Sequence, residues 1–327
     1  MKKLLALLLS AVLLTVGLCS CTKEEKLTKV ELNEVTHSVF YAPFYAALEL
    51  GFFADEGLDV ELTNGGGADK VMTAVLAGQS DVGLAGPEAC IYVHLEGRED
   101  YPMIFAQLTK RDGSFLVGRE GGDFSWEDLR GTTIIGGRVG GVPEMTLEYV
   151  LRQNGLEPGV DVTIDTSVQF NMMAGAFTGG SGDYVTLFEP TATQVEQEGK
   201  GYILTSLGLE SGEIPYTAFF AAQSYMEEHP DVIQGITNAV ARGQTWVREH
   251  SAREIAEAIA PQFPDTDLDV LEAVCQRHLD IDAWNETPVM KEEALNRLMD
   301  VMEGAGQLEA RVAFDDLVDN TWAEKAQ

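Results

Sequence analysis

Five short stretches of this chain carry residue types suited to holding a small molecule. They are Phe40-Tyr41-Ala42-Pro43, Gly65-Gly66-Gly67-Ala68-Asp69, Gly86-Pro87-Glu88, Arg138-Val139-Gly140-Gly141-Val142-Pro143 and Phe188-Glu189-Pro190. Each falls where a strand-like run hands over to a helix-like one. In an open α/β sheet that edge is where ligands bind. A helix starting there presents unpartnered N–H groups and a positive dipole end. Pro43 suits a first helical turn, whose N–H groups lack partners anyway. Glycine serves where the backbone takes positive φ or comes close to a ligand. The rings of Phe40, Tyr41, Phe44 and Tyr45 either wall such a site or lie in the core, the commoner place for aromatic side chains.

Signs of bond-breaking chemistry are missing. No Gly-Lys-Ser/Thr follows Gly65–Gly67, so this is not a Walker loop, and the dinucleotide spacing is absent too. There is no Gly-x-Ser-x-Gly elbow, no cysteine cluster and no His–carboxylate pairing close in sequence. His229, His250 and His278 fall on helix-like stretches without metal or triad spacing and are expected at the surface. Nothing calls for a metal or a cofactor.

The elements that must position these loops alternate strand and helix. Glu31–Val39, Asp59–Leu62, Val82–Ala85 and Met103–Leu108 read as strands, separated by helices of ten or so residues. A second unit repeats the pattern with strands at Phe115–Val117, Thr132–Ile135, Asp161–Ile164, Asp183–Leu187 and Tyr202–Leu204. Ser125, with Asp128 three residues on, forms a capping box at its start. This alternation predicts α/β architecture with largely parallel sheets and helices on both faces. Ile214–Ala221 is strand-like again, and from Ser224 onward the chain reads as helical.

The N-terminus is a targeting segment rather than structure. Met1-Lys2-Lys3 precedes the nearly all-apolar Leu4–Gly17, the pattern of an export signal. Leu18-Cys19-Ser20-Cys21 resembles the lipobox of bacterial lipoproteins, which implies cleavage before Cys21 and lipid on that residue. Cys19 follows bulky Leu18 and fits less well; a plain secretory signal is the alternative. Residues 1–20 are thus the signal and 21–29 a charged tether. The protein is expected outside the cytoplasm, on the outer face of the cell membrane. Cys90 and Cys275, the cysteines of the body, show no metal spacing and read as buried thiols, with a single disulfide between them as the alternative. A formal charge of −31 argues against nucleic acid as a partner, which needs basic surface.

With the elements in place, a family likeness emerges. Tyr45 to Val60 (YAALELGFFADEGLDV) resembles the opening of solute-binding proteins of ABC importers in the NMT1/THI5-like group, which binds sulfonates, nitrate and thiamine pyrimidines. Ala74–Gly83, Ser125–Gly131, Asp183–Pro190 and the helix start at His229-Pro230 match it in order, so the likeness covers nearly all of the mature chain. It implies a type II periplasmic-binding fold, with two α/β lobes around a ligand cleft. Lobe 1 would be discontinuous, 30–110 plus 221–327, and lobe 2 would be 111–220. It also implies a monomer that passes its ligand to an ABC permease and ATPase by hinge closure, without catalysis.

The loops depart from the anion-binding members. Arg138–Pro143 contains no hydroxyl, and the first lobe offers Asp69 and Glu88 rather than Lys or Ser. Carboxylates suit a ligand with N–H donors, or they simply cap helices. Glu189, if it matches the family's glutamate, would accept from an amino group, and Phe40, Tyr41 and Phe188 would sandwich a flat ring. The expected site is therefore Phe40, Tyr41, Pro43, Tyr45, Gly66, Gly67, Asp69, Gly86, Glu88, Arg138, Gly140, Gly141, Phe188 and Glu189, holding a thiamine-pyrimidine-like heterocycle. Alternatives are a sulfonate, nitrate or taurine binder of the same family, a pyrimidine-metabolising enzyme, or a surface lipoprotein that transports nothing.

Overall fold

The computed structural model describes residues 26–326. The export signal and Cys21 lie outside the described residues. The first unit contains β1 (Thr28–Glu34), α1 (Ala42–Glu49), α2 (Phe52–Asp55), β2 (Leu58–Asn64), α3 (Ala68–Leu76), β3 (Val82–Ala85), α4 (Glu88–Leu95) and β4 (Pro102–Thr109). The chain then crosses into β5 (Ser114–Gly118), β6 (Thr133–Ile135), α5 (Val142–Gln153), β7 (Thr163–Asp165), α6 (Met173–Thr178), β8 (Tyr184–Phe188), α7 (Thr191–Gln197), β9 (Tyr202–Ser206) and α8 (Leu207–Ser211). It returns through β10 (Thr217–Ala222) and ends in α9 (Gln223–Glu228), α10 (Pro230–Glu249), α11 (Ala252–Ile259), α12 (Leu268–Asp280), α13 (Glu292–Gly304) and α14 (Thr321–Lys325).

Two five-stranded sheets result, ordered β2-β1-β3-β10-β4 and β7-β6-β8-β5-β9. They are mixed rather than largely parallel. β10 runs antiparallel to β3 and β4, and β5 runs antiparallel to β8 and β9. These are the strands that follow a crossing, and a chain arriving from the other lobe enters its sheet from the cleft edge. The return falls earlier than the expected boundary at residues 220/221, because Thr217–Phe220 already pairs with β3 and β4. The two crossings run side by side, with the Ile214 N–H donating to the Lys110 carbonyl at 2.8 Å.

Strand periodicity explains how the second sheet is buried. Leu116 and Ile134 face one cluster with Leu147, Val150 and Leu151; their neighbours Val117 and Ile135 face the other with Phe177 and Val185. Successive side chains point to opposite faces, so each strand serves both layers. In the first lobe the central β3 is buried along its whole length, as expected for a strand covered on both faces. Across that lobe lies α10, which approaches α1 so closely that a Cβ at Gly243 would stand 2.1 Å from the Pro43 carbonyl oxygen. The capping box at Ser125 and Asp128 is present and starts a 3-10 turn over Trp126–Leu129.

His278 is not at the surface. It is fully buried on α12, with the rings of Phe40, Trp284 and Phe115 around it at centroid distances of 5.5, 5.9 and 6.3 Å. Neither ring nitrogen has a partner among the described residues. Burial, followed by the neighbouring Arg277 cation, depresses its pKa to about 3, so it packs as a neutral ring.

Candidate ligand cleft

The βα loops converge between the lobes on a narrow cleft of about 80 Å³. From the first lobe come Val35, Thr36, Tyr41, Gly67, Ala68, Gly86 and Glu88, with Tyr216 and Thr217 at the return crossing. The second lobe supplies Gly137, Arg138, Gly141, Val142, Pro143, Phe170 and Phe188. A wider, more polar chamber of about 580 Å³, a size typical of small-molecule sites, adjoins it, lined among others by Asn64, Gly66, Lys70, Asn171 and Glu189, and it shares Thr36, Phe170 and Phe188 with the first. The inner cleft is thus walled by rings and glycine backbone, with Glu88 and Arg138 as its charged side chains.

Tyr41 owes its place to a 3-10 turn, Val39–Tyr41, whose N-cap Ser38 accepts from the Phe40 N–H. The turn sends consecutive rings apart. Tyr41 enters the cleft beside Thr217, and burial raises its phenol well above the usual range. Phe40 turns to the crossing, where a Cβ at Gly113 would meet its ring at 2.3 Å. Phe40 therefore does not line the cleft. It supports Phe188 and Tyr216 from behind, at centroid distances of 5.8 and 5.7 Å.

Of the other expected residues, Gly67, Gly86, Glu88, Arg138, Gly141 and Phe188 line the cleft beside Tyr41, and Gly66 lines the polar chamber. Pro43 packs against α10. Tyr45 is buried beneath the loop, where its hydroxyl donates to Glu34 Oε2 at 2.5 Å. Glu34 Oε1 also holds His37 Nδ1 at 2.7 Å, and His37 Nε2 lies 2.9 Å from the Gln262 carbonyl. Both imidazole nitrogens face acceptors, an arrangement that favours the doubly protonated, charged ring. Burial works against that charge, yet Glu34 holds the His37 pKa above its ordinary value. This network anchors the loop that carries Thr36.

Asp69 stays exposed outside the cleft, its Oδ1 at 3.7 Å from Arg138 Nε of the other lobe. Gly140 spans the lobes by its backbone: its carbonyl accepts from the Tyr92 hydroxyl at 2.9 Å and its N–H donates to Glu144 Oε2 at 3.2 Å.

Glu189 differs most from its expected role. Its carboxylate is fully buried and already partnered. Oε1 accepts from Arg277 Nη1 at 2.5 Å and from the Thr193 hydroxyl at 2.8 Å, and Oε2 accepts from the Thr193 N–H at 2.9 Å. Its carbonyl accepts from the Ser38 hydroxyl at 2.6 Å. Arg277 and Ser38 belong to the first lobe, so Glu189 clasps the lobes together.

Glu88 opens α4 and is 1 % exposed. Burial pushes its pKa up to about 7, against the pull of Arg138 and of backbone N–H groups including that of Val142 across the cleft. Its Oε2 has no hydrogen-bond partner among the described residues.

Sequence reasoning missed Phe170, Tyr216 and Thr217 as lining residues. Phe170 sits in the loop after β7, an aromatic in a βα loop like those recognised elsewhere. Tyr216 and Thr217 reach the cleft because β10 runs antiparallel to β3, which puts its start at the cleft edge of that strand.

Residues 39–254 match the family described as "NMT1/THI5 like". The chain is 43% identical over 316 residues to the protein YtlA of Bacillus subtilis (strain 168), covering 96% of this chain and 95% of that one. Among solved structures it is similar to the alkanesulfonate-binding protein SsuA from Xanthomonas axonopodis pv. citri bound to MOPS (TM-score 0.71, 14% identity, 89% of this chain, 98% of that chain). It is also similar to the periplasmic nitrate-binding protein NrtA from Synechocystis PCC 6803 (TM-score 0.72, 16% identity, 92% of this chain, 88% of that chain). No helix among the described residues is long and apolar enough to cross a membrane. The match over residues 39–254 and the 43% identity over nearly the whole chain make this chain a member of the NMT1/THI5-like family: an extracytoplasmic ABC-type solute-binding protein, not an enzyme, that takes a small ligand and works with ABC transporter components.

Proposed function

We propose that the protein is a monomeric receptor, anchored by lipid on Cys21, that captures a flat amino-bearing heterocycle of the thiamine-pyrimidine kind for an ABC importer. The supporting observation is a buried carboxyl, Glu88, in a cleft walled by Tyr41, Phe170, Phe188 and Tyr216. Rings favour a flat partner by stacking. A carboxyl with an unpartnered oxygen favours a ligand that brings N–H donors, because an unpaired buried acceptor is costly. The lobes of the reading are 30–110 plus the returning segment, and the intervening β5–α8 unit, with the ligand between them.

A thermal-shift screen tests this, because a ligand that binds only the folded state raises the melting temperature. Aminopyrimidines with hydroxymethyl or formylamino groups are expected to stabilise the protein, whereas taurine, alkanesulfonates and nitrate are not. Arg138 in the cleft is what favours the anion reading, and stabilisation by sulfonates alone would establish that reading instead. Loss of membrane association in Cys21→Ala, with no lipid labelling, tests the anchor.

A further inference from the structure

The cleft faces the start of α5, a twelve-residue helix whose N-cap, Gly141, offers no side-chain cap. A helix start of this kind is a ready anion site, with free N–H groups and a positive dipole end. Arg138, from the same loop, adds a guanidinium. These features favour a negative charge there, and α5 brings one carboxyl of its own, Glu144, whose Oε2 accepts from the Gly140 N–H at 3.2 Å.

The first lobe supplies another. Glu88 reaches the cleft from the opposite wall, where Val142, the first residue of α5, lines the same space. The side chain is folded over Gly86, where a Cβ would stand 2.0 Å from Oε2 and 3.0 Å from a Val142 methyl. The carboxyl therefore occupies a slot, between the first-lobe turn and the first residue of α5, that exists only because residue 86 has no side chain. Its Oε2 is enclosed there without a protein partner.

We infer that Glu88 is the cleft's resident anion, which fills the positive end of α5 opposite Arg138 and closes the cleft to anionic ligands while admitting neutral or cationic ones. The inference rests on the reading that this cleft is the ligand site, and it adds the device by which the site chooses. An entering sulfonate or nitrate meets a carboxylate where it needs an unoccupied helix start, and like charges at contact disfavour each other strongly. A donor-bearing head meets a partner already in place. Selectivity then comes from a built-in repulsive element as well as an attractive one.

The test is binding of methanesulfonate and nitrate to the full exported chain, by calorimetry, in wild type, Glu88→Gln and Glu88→Ala, with melting curves to confirm folding. Removing the carboxylate is expected to raise anion affinity about tenfold or more, the equivalent of one pKa unit of interaction. Glu88→Gln keeps the shape and so isolates charge, whereas Glu88→Ala also clears the slot.

A second readout is pH. Wild-type anion affinity is expected to rise as pH falls from about 8 to about 5 and the carboxyl takes a proton, and Glu88→Gln removes this rise. The groups facing Glu88 are Arg138, Tyr41, Tyr216 and, on its own helix, Cys90 and Tyr92; both tyrosines beside the cleft, the thiol and Tyr92 have raised pKa values. Glu144 on α5 is pushed to about 7 by burial and titrates in the same window, so Glu144→Gln is the control that must leave the rise intact.

Equal anion affinity in wild type and both Glu88 variants overturns the inference, as does a pH response that survives Glu88→Gln. So does absence of anion binding in all three proteins. Pyrimidine binding is titrated separately: its failure removes the heterocycle reading and leaves the anion comparison standing.

Discussion

Replacing Arg277 by methionine is expected to loosen the contact between the lobes before any ligand is present. Arg277 Nη1 is 2.5 Å from Glu189 Oε1 and the Thr193 hydroxyl, and Nη2 is 3.4 Å from Glu196 Oε2. The guanidinium is on α12 of the first lobe, and its partners are on or beside α7 of the second. Breaking a buried ion pair costs about 3–5 kcal/mol when the remaining charge has no other partner. Here Glu189 keeps two bonds from Thr193, and the Arg277 side chain is 31% exposed, so solvent screens part of the loss. The expected cost is about 2 kcal/mol. It falls on lobe association and shifts an open–closed equilibrium roughly thirtyfold towards open. Small-angle scattering of the ligand-free protein should show a larger radius of gyration for Arg277→Met than for wild type. A double-mutant cycle with Glu189→Gln, followed by denaturant unfolding, should give a coupling of about 1–2 kcal/mol. Unchanged scattering together with a coupling below about 0.5 kcal/mol would refute the clasp and return Glu189 to the list of ligand contacts.

The pH response of stability follows from groups in or beside the cleft. Burial raises Glu88 and Asp112 to about 7 from 4.5 and 3.8, so their contribution is complete below those ordinary values and is lost as pH rises through about 7. His37, also raised, acts in the same direction, while buried His278, lowered to about 3, costs stability as pH falls below its ordinary 6.5. Calorimetry should therefore give a lower melting temperature at about pH 8 than at about pH 6; a flat or rising profile contradicts the burial assigned to these carboxyls. Gly243→Ala should destabilise by about 1–3 kcal/mol in denaturant unfolding, because the new methyl meets the Pro43 carbonyl at 2.1 Å. Tyr45→Phe removes the donor to Glu34 and should cost about 1–3 kcal/mol, while ligand affinity measured by calorimetry on the folded fraction stays near wild type; a large affinity loss would place the hydroxyl in the site.

Much of the architecture was legible because its signals are local. Strands ending in glycine- or proline-rich helix starts gave the cleft edge, and Ser125 with Asp128 gave a helix start. The antiparallel entries of β5 and β10 were not legible, since direction there depends on which lobe the chain arrives from. Phe40 and Tyr41 could not be told apart, because a 3-10 turn separates neighbours that a strand-to-helix reading treats alike. The role of Glu189 is not legible for a different reason: its partner Arg277 is remote in sequence and no spacing rule connects them. The burial of His278 does have a signal in the sequence. Leu271, Val274, Cys275 and His278 follow helical periodicity on the inner face of α12, and phase outweighs residue type.

The contact of the Phe40 ring with Gly113 ties two distant positions into one heritable unit. No side chain fits at 113 while a ring stands at 40, since even a methyl would lie 2.3 Å from it. A lineage can enlarge residue 113 only after shrinking residue 40, and that intermediate withdraws the backing of Phe188 and Tyr216. Cleft walls and lobe crossing thus share a single mutational route. A change at Phe40 must therefore pass by way of the joint on which the lobes meet.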